Sequence, residues 1–235
     1  MHYLIVSDVH ANLVALEAVL VDAPAFDKIW CLGDLVGYGP NPNECVELIR
    51  ENCENVLIGN HDHAAIGKTD IEYFNQYAKA AAYWTREHLS DENKAYLAQL
   101  PYSHQNDEML MVHASPTNPE HWYYVLNPYD AQVEMQSFNQ QLCFIGHSHV
   151  PIIYSENDTI KSSFFQFEKE QKYIINVGSV GQPRDGNHKS CYALYHPDSH
   201  SLDFIRLEYE LQKTYSKIIK ADLPPFLADR LLKGY

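Results

Sequence analysis

The sequence predicts an α/β fold, two face-to-face mixed β-sheets flanked by helices, and three observations predict it. Near the amino terminus, apolar strand-like runs alternate with helical stripes, the pattern of a parallel sheet. In the second half, short apolar runs follow one another through brief turns, which implies a second, largely antiparallel sheet packed on the first. The N-terminal runs also end in Asp, Asn or His, and strand ends are where ligands bind in open α/β sheets.

Residues 3–7 read as the first strand. Leu13, Leu16, Glu17, Val19 and Leu20 then mark a helix that starts at an Asn12 cap. Lys28 to Leu32 is the next strand, and it runs into the glycine turn Gly33-Asp34-Leu35-Val36-Gly37-Tyr38-Gly39-Pro40. Pro42 to Arg50 reads as a helix with proline near its start, followed by a strand at Asn55 to Ile58. From about 64 to 107 the chain turns Ala-rich and aromatic, with Tyr77, Ala80, Ala81, Trp84 and His88 at helical spacing and a short helix near Asn93 to Leu100. This segment reads as a helical insertion within one domain spanning 1–235. Strands resume at Met109–Val112 and Leu142–Ile145, with a helix between them at Pro128–Phe138. Further strands are expected at Ile152–Tyr154, Thr159–Phe167, Tyr173–Val177, Cys191–His196 and Leu202–Tyr209. Helices at Leu211–Lys220 and Pro225–Leu232 complete the pattern.

A formal charge of −14 argues against non-specific binding to nucleic acid or to an anionic membrane, both of which need a basic face. Tyr3 to Val6 has no basic lead-in and is too short for a signal or membrane segment, so a cytoplasmic location is expected. The five cysteines form no C-x-x-C pair and read as reduced core thiols.

The polar residues that end apolar strands are Asp8, His10, Asp34, Asn60, His61, His113, His147 and His149, which include five of the thirteen histidines. Asp8/His10 and His147/His149 are each spaced by two, which in extended backbone places both side chains on one side, so each pair could grip one centre. Carboxylate, imidazole and amide oxygen suit Mn, Fe, Zn or Ni better than copper or an iron–sulfur cluster. A lone histidine after a strand is ordinarily structural, and it is the ordered set that carries the argument.

That set, D-x-H, G-D, G-N-H-D, strand-His and G-H-x-H between residues 4 and 149, resembles the calcineurin-like metallophosphoesterases. The resemblance implies their four-layer sandwich and two divalent ions, manganese first among the candidates. It implies that Asp8, His10 and His149 hold one ion, that Asn60, His113 and His147 hold the other, and that Asp34 bridges them. A hydroxide bridging the ions would be the nucleophile, and His61 would donate a proton to the leaving group. Where the protein Ser/Thr phosphatase branch continues its hub motif with Asp and Arg, this chain has Gly37 and Tyr38. The loss of that guanidinium favours a phosphodiesterase acting on small phosphodiesters, nucleotide diesters among the candidates, over a phosphomonoesterase of the protein phosphatase kind. A diadenosine tetraphosphate hydrolase is the further alternative. The rival outside enzymes is a catalytically silent scaffold, whose signature would be a missing ligand position; here all are filled. The stretch Asn176 to Gly186 resembles a segment of small bacterial and archaeal members, and it makes Arg184, with Tyr38, a candidate substrate contact. His121-Trp122-Tyr123-Tyr124 is either a stacking wall for a base or ordinary packing.

Overall fold

The computed structural model describes residues 1–235. Its strands form two six-stranded mixed sheets. In the first sheet β1 (Tyr3–Val6), β2 (Lys28–Cys31) and β3 (Asn55–Val56) run parallel, with α1 (Leu13–Asp22) and α2 (Pro42–Asn52) as their crossovers. Helices α3 (Asn60–Ala65), α4 (Gln76–His88) and α5 (Asp91–Leu97) then lead to the second sheet. That sheet contains β4 (Ser103–Gln105), β5 (Met109–Val112), β6 (Leu142–Ile145), β7 (Ile152–Ser155), β8 (Thr159–Ile160) and β10 (Tyr173–Asn176), in the order β4-β5-β6-β10-β7-β8. Helix α6 (Pro128–Glu134) precedes β6. The strands β9 (Phe164–Gln166), β11 (Ser190–His196) and β12 (Ser201–Leu207) return to the first sheet, ordered β3-β2-β1-β11-β12-β9. Helices α7 (Leu211–Lys220) and α8 (Pro225–Lys233) follow.

Strand alternation sorts the core into layers. On β1, Leu4 and Val6 face α1 and α2, meeting Leu16, Val19, Val46 and Ile49, while Ile5 faces the second sheet. On β6, Leu142 and Phe144 point between the sheets and Cys143 and Ile145 point outward to Ala131 and Met135 near α6. A separate cluster joins Tyr38 to Ala78 and Ala81 of α4 and to Ile218, Leu227 and Leu231 of the last two helices. All five cysteines are free, and four of them are buried.

The strand-by-strand reading needs three corrections. The later strands do not build an antiparallel sheet of their own: β11 pairs antiparallel with β1, while β10 pairs parallel with β6. Apolar alternation marks a strand but carries no information about its partner. The run expected as one strand, Thr159–Phe167, is broken into β8 and β9, which lie in different sheets. Thirdly, β4 is a strand inside the segment expected as a helical insertion, and α3 is a helix where no element is expected; neither has an apolar stripe of its own.

Phe144 is fully buried between the sheets beside Tyr195. Phe144→Ala is expected to cost about 3–5 kcal/mol in denaturant unfolding, the range for a large aromatic removed from a packed core.

Candidate metal centre

The candidate residues stand on the loops at the C-terminal ends of β1, β2, β5 and β6 and at the start of α3. The loops after β1 and β2 run side by side, with the Asp8, His10 and Ala11 amides donating to the carbonyls of Gly33, Asp34 and Leu35. Asp8, His10, Asp34, His147 and His149 all adopt left-handed backbone, with φ between 49° and 66°. Such conformations cost roughly 1–3 kcal/mol each outside glycine and persist where surrounding contacts enforce them. The pairs spaced by two are therefore not on extended strand. The structure divides His147 from His149: Asp8, His10, Asp34 and His149 form one donor group, and Asp34, His113 and His147 form another. Two glycines make room for the carboxylates. A Cβ on Gly59 would collide with Asp34 Oδ1, and one on Gly146 would collide with Ser7 and Asp8.

Three imidazoles are oriented by their outer nitrogens. Nδ1 of His10, His113 and His149 donates to the carbonyls of Val36, Leu32 and Gln182 at 3.1, 3.0 and 2.5 Å. This leaves Nε2 of each as a lone-pair donor aimed inward, the arrangement that fixes metal-ligating histidines. Nε2 of His10 lies 3.0 Å from Nε2 of His149 and 3.6 Å from Asp34 Oδ2. His149 Nε2 lies 3.2 Å from Asp8 Oδ1, and His113 Nε2 lies 3.3 Å from both Asp34 Oδ2 and Asn60 Oδ1. Buried His147 Nε2 has no protein partner. Two inward lone pairs 3.0 Å apart repel, and a cation between them removes the repulsion. The donor set thus fits divalent metal.

The charges tell the same story. Burial would raise Asp8 and Asp34, but facing imidazoles, His149 for Asp8 and His113 for Asp34, outweigh it and hold both carboxyls well below their usual range. Burial would likewise lower His113, and the Asp34 charge reverses it to about 9. A metal held there would have to displace that proton from the inward nitrogen. Burial depresses His147 to about 3.

His61 is the second residue of α3, and its backbone N–H donates to Asp34 Oδ1 at 2.8 Å. Its ring stands 5.0 Å from that of His10, 4.4 Å from Tyr38 and 5.2 Å from Phe74, and its Nδ1 is buried without a partner. Burial holds it neutral, at about 4. A cleft of about 380 Å³ opens beside it, with walls that include Asn60, His147, Tyr73, Phe74, Trp122 and Tyr124. Tyr124 stacks on His147 with centroids 4.0 Å apart, and Trp122 packs against His113 and His63. Arg184 is half-buried, bonded to Gln182 Oε1 and over the Tyr38 ring, so it is not a solvated turn residue. His63 is tied to Thr69 and Tyr102.

Several residues with no role in the sequence reading prove to hold the site. Asp62 is fully buried and accepts the amides of Val36 and Gly59, both at 3.0 Å, which joins the loop after β2 to the start of α3. Burial and the nearby Asp34 charge raise it to about 7. Ser179 donates to the Asp8 carbonyl, and Asn176 braces the Gly146 and Ser148 turn. The only signals for these were the D of G-N-H-D and the likeness of the Asn176 stretch to a family segment.

Paired mixed sheets carrying this buried Asp/His cluster define a metal-dependent phosphoester hydrolase. The calcineurin-like phosphoesterase superfamily domain matches residues 1–200, and the chain belongs to that family. It is 43% identical to a metallophosphoesterase from Sphaerobacter thermophilus of known structure, with a TM-score of 0.91 over 100% of this chain and 99% of that one. It is 42% identical to an uncharacterized protein of Methanocaldococcus jannaschii over 98% of this chain and 97% of the relative. A symmetrical bis(5′-nucleosyl)-tetraphosphatase of Erwinia tasmaniensis is 27% identical over 48% of this chain and 44% of its own length.

Asp62→Ala would strand two buried amides. It is expected to destabilise the protein by about 2–6 kcal/mol, roughly 1–3 kcal/mol per stranded amide, in urea titrations. Metal content measured on the folded variant should fall with it.

Proposed function

We propose that the protein is a dinuclear metal-dependent phosphodiesterase acting on small phosphodiesters, nucleotide diesters among them. The carrying observation is the Asp34 carboxylate, which belongs to both donor groups. In this reading Asp8, His10 and His149 hold one ion, Asn60, His113 and His147 hold the other, and Asp34 contributes to both. Manganese is the first candidate, with iron, zinc and nickel compatible with the same donors. When bound, such a pair of ions supplies Lewis acidity, lowering the pKa of a water and offsetting charge on the phosphoryl oxygens.

The protein's own part is positioning and proton supply. The Nδ1 bonds of His10, His113 and His149 fix where the phosphoryl group can sit. His61 presents a ring nitrogen to the same space, and an anionic phosphoryl beside it raises its proton affinity, so it can deliver a proton to the leaving oxygen. Tyr38 lines the cleft, and Arg184 lies over its ring as a second candidate substrate contact. Phe74, Trp122 and Tyr124 offer faces to an aromatic leaving group such as a nucleobase. The missing hub arginine favours a monoanionic diester over a dianionic monoester. Hydrolysis of a dinucleoside tetraphosphate is the second reading, supported by the relatives that carry that name.

Chelator-stripped protein, reloaded separately with Mn²⁺, Ni²⁺, Zn²⁺ or Mg²⁺, is expected to hydrolyse bis(p-nitrophenyl) phosphate faster than p-nitrophenyl phosphate. A monoester preference would reverse the substrate assignment. Asp34→Asn should lose both activity and metal. His61→Ala should lose activity by about 10²–10⁴-fold, the contribution of general acid catalysis, while metal analysis still finds both ions. Loss of an ion from His61→Ala would make that residue a ligand.

A further inference from the structure

Two of the five arginines, Arg184 and Arg230, converge on one tyrosine. Their guanidinium carbons lie 5.8 and 5.7 Å from the ring centroid of Tyr38, which stands 4.7 Å from the His10 ring. Arg50 and Arg206 are paired with Glu92 and Asp185, whereas neither Arg184 nor Arg230 has an Asp or Glu carboxylate within 4.0 Å. Arg184 bonds Gln182 Oε1 and, at 3.5 Å, the Tyr38 hydroxyl. Arg230 donates through Nε to a carboxylate oxygen of the last residue, Tyr235, and its two terminal nitrogens have no protein acceptor. Burial and the Arg184 charge together lower Arg230 to about 10. Two half-buried like charges beside one ring, with no Asp or Glu partner, are costly unless a further anion joins them.

We propose that Arg184 and Arg230 form a second anion subsite that holds an ionised phosphoryl group adjoining the one cleaved. The proposal rests on the phosphoesterase reading and deepens it: the preferred substrates are esters of a phosphate chain, and an isolated diester uses only part of the site. Position supports this. The forks stand beside the His10 and His61 rings, across Tyr38, and more than 4.0 Å from the Asp8 and Asp34 carboxylates that frame the centre. Charge supports it as well. Two divalent ions against two carboxylates leave a positive centre, and two guanidiniums add to it, which exceeds what the single negative charge of a simple diester can neutralise. A phosphate chain brings the additional charge, and planar forks match its oxygens.

The test compares diadenosine tetraphosphate with bis(p-nitrophenyl) phosphate on the metal-loaded protein. Arg230→Met, and Arg184→Met separately, should lower the ratio of kcat/KM for the tetraphosphate over that for the diester by about tenfold or more, as loss of a charge-assisted contact implies. An unchanged ratio in both variants overturns the subsite. A second arm needs no turnover: pyrophosphate should raise the melting temperature of chelator-stripped wild-type protein and should not raise that of either folded variant. No shift in wild type, or the same shift in the variants, overturns the proposal. If wild type hydrolyses neither substrate while the pyrophosphate shift follows the arginines, the phosphodiesterase reading fails and the anion subsite stands.

Discussion

The Asp34 carboxylate is the constraint on which the rest of the site depends. It is fully buried and receives the His61 amide on Oδ1. Its Oδ2 lies between His10 and His113, at 3.6 and 3.3 Å. A carboxylate at that depth must be compensated, and here the compensation comes from loops following several strands of both sheets. The mixed topology is what makes this possible. The parallel strands β1 and β2 deliver Asp8, His10 and Asp34 from the first sheet, while β5 and β6 deliver His113, His147 and His149 from the second. Two sheets facing each other bring these ends to one rim. Neither sheet alone contains both donor groups.

The position of Asp34 sets conditions far beyond its own contacts. The left-handed backbone of Asp8, His10, Asp34, His147 and His149 is a local cost repeated around one small volume. It is offset by the apolar strands beneath and by amide-to-carbonyl bonds between neighbouring loops. Asp62 serves the same end: by accepting one amide from each side, it fixes the distance between the Asp34 turn and the start of α3. His61 therefore occupies its place through the backbone of two loops, independently of what its imidazole touches.

Much of this was readable in the sequence, for identifiable reasons. Strands and helices with a continuous apolar stripe, such as Leu4–Val6, Leu142–Ile145 and Leu13–Leu20, declared themselves because burial dictates residue type there. The candidate ligands stood out as an ordered set of Asp, Asn and His residues ending several apolar runs, where any one of them alone would read as structural. Strand partners were not readable: β11 lies beside β1 although 183 residues separate Val6 from Ser190, and nothing in either segment names the other. Spacing alone hid the division of His147 from His149, which only the family resemblance implied, since spacing by two means one side only in extended backbone and these residues leave it. Asp62, Asn176 and Ser179 escaped because their work is to accept or donate single bonds to loop backbone, which leaves no periodic trace.

The C-terminal helices bear on the site through Tyr38. Its ring is packed with Ala78, Ala81, Ile218, Leu227 and Leu231, yet it also meets the His10 and His61 rings edge to face or tilted. Tyr38 itself sits in left-handed backbone at φ 60°, held in a turn whose Gly39 amide donates to the His10 carbonyl. The hydrogen bond from Thr214 of α7 to the Asn12 side chain, which caps α1, ties the same helices to the loop after β1. Helices remote in sequence thereby share a wall with the centre, and Arg230 on α8 reaches it by that route. A hydrolase that stabilises anions needs positive charge confined to one place. In a chain of net charge −14, Arg184 and Arg230 place two half-buried guanidiniums over one aromatic ring beside the centre.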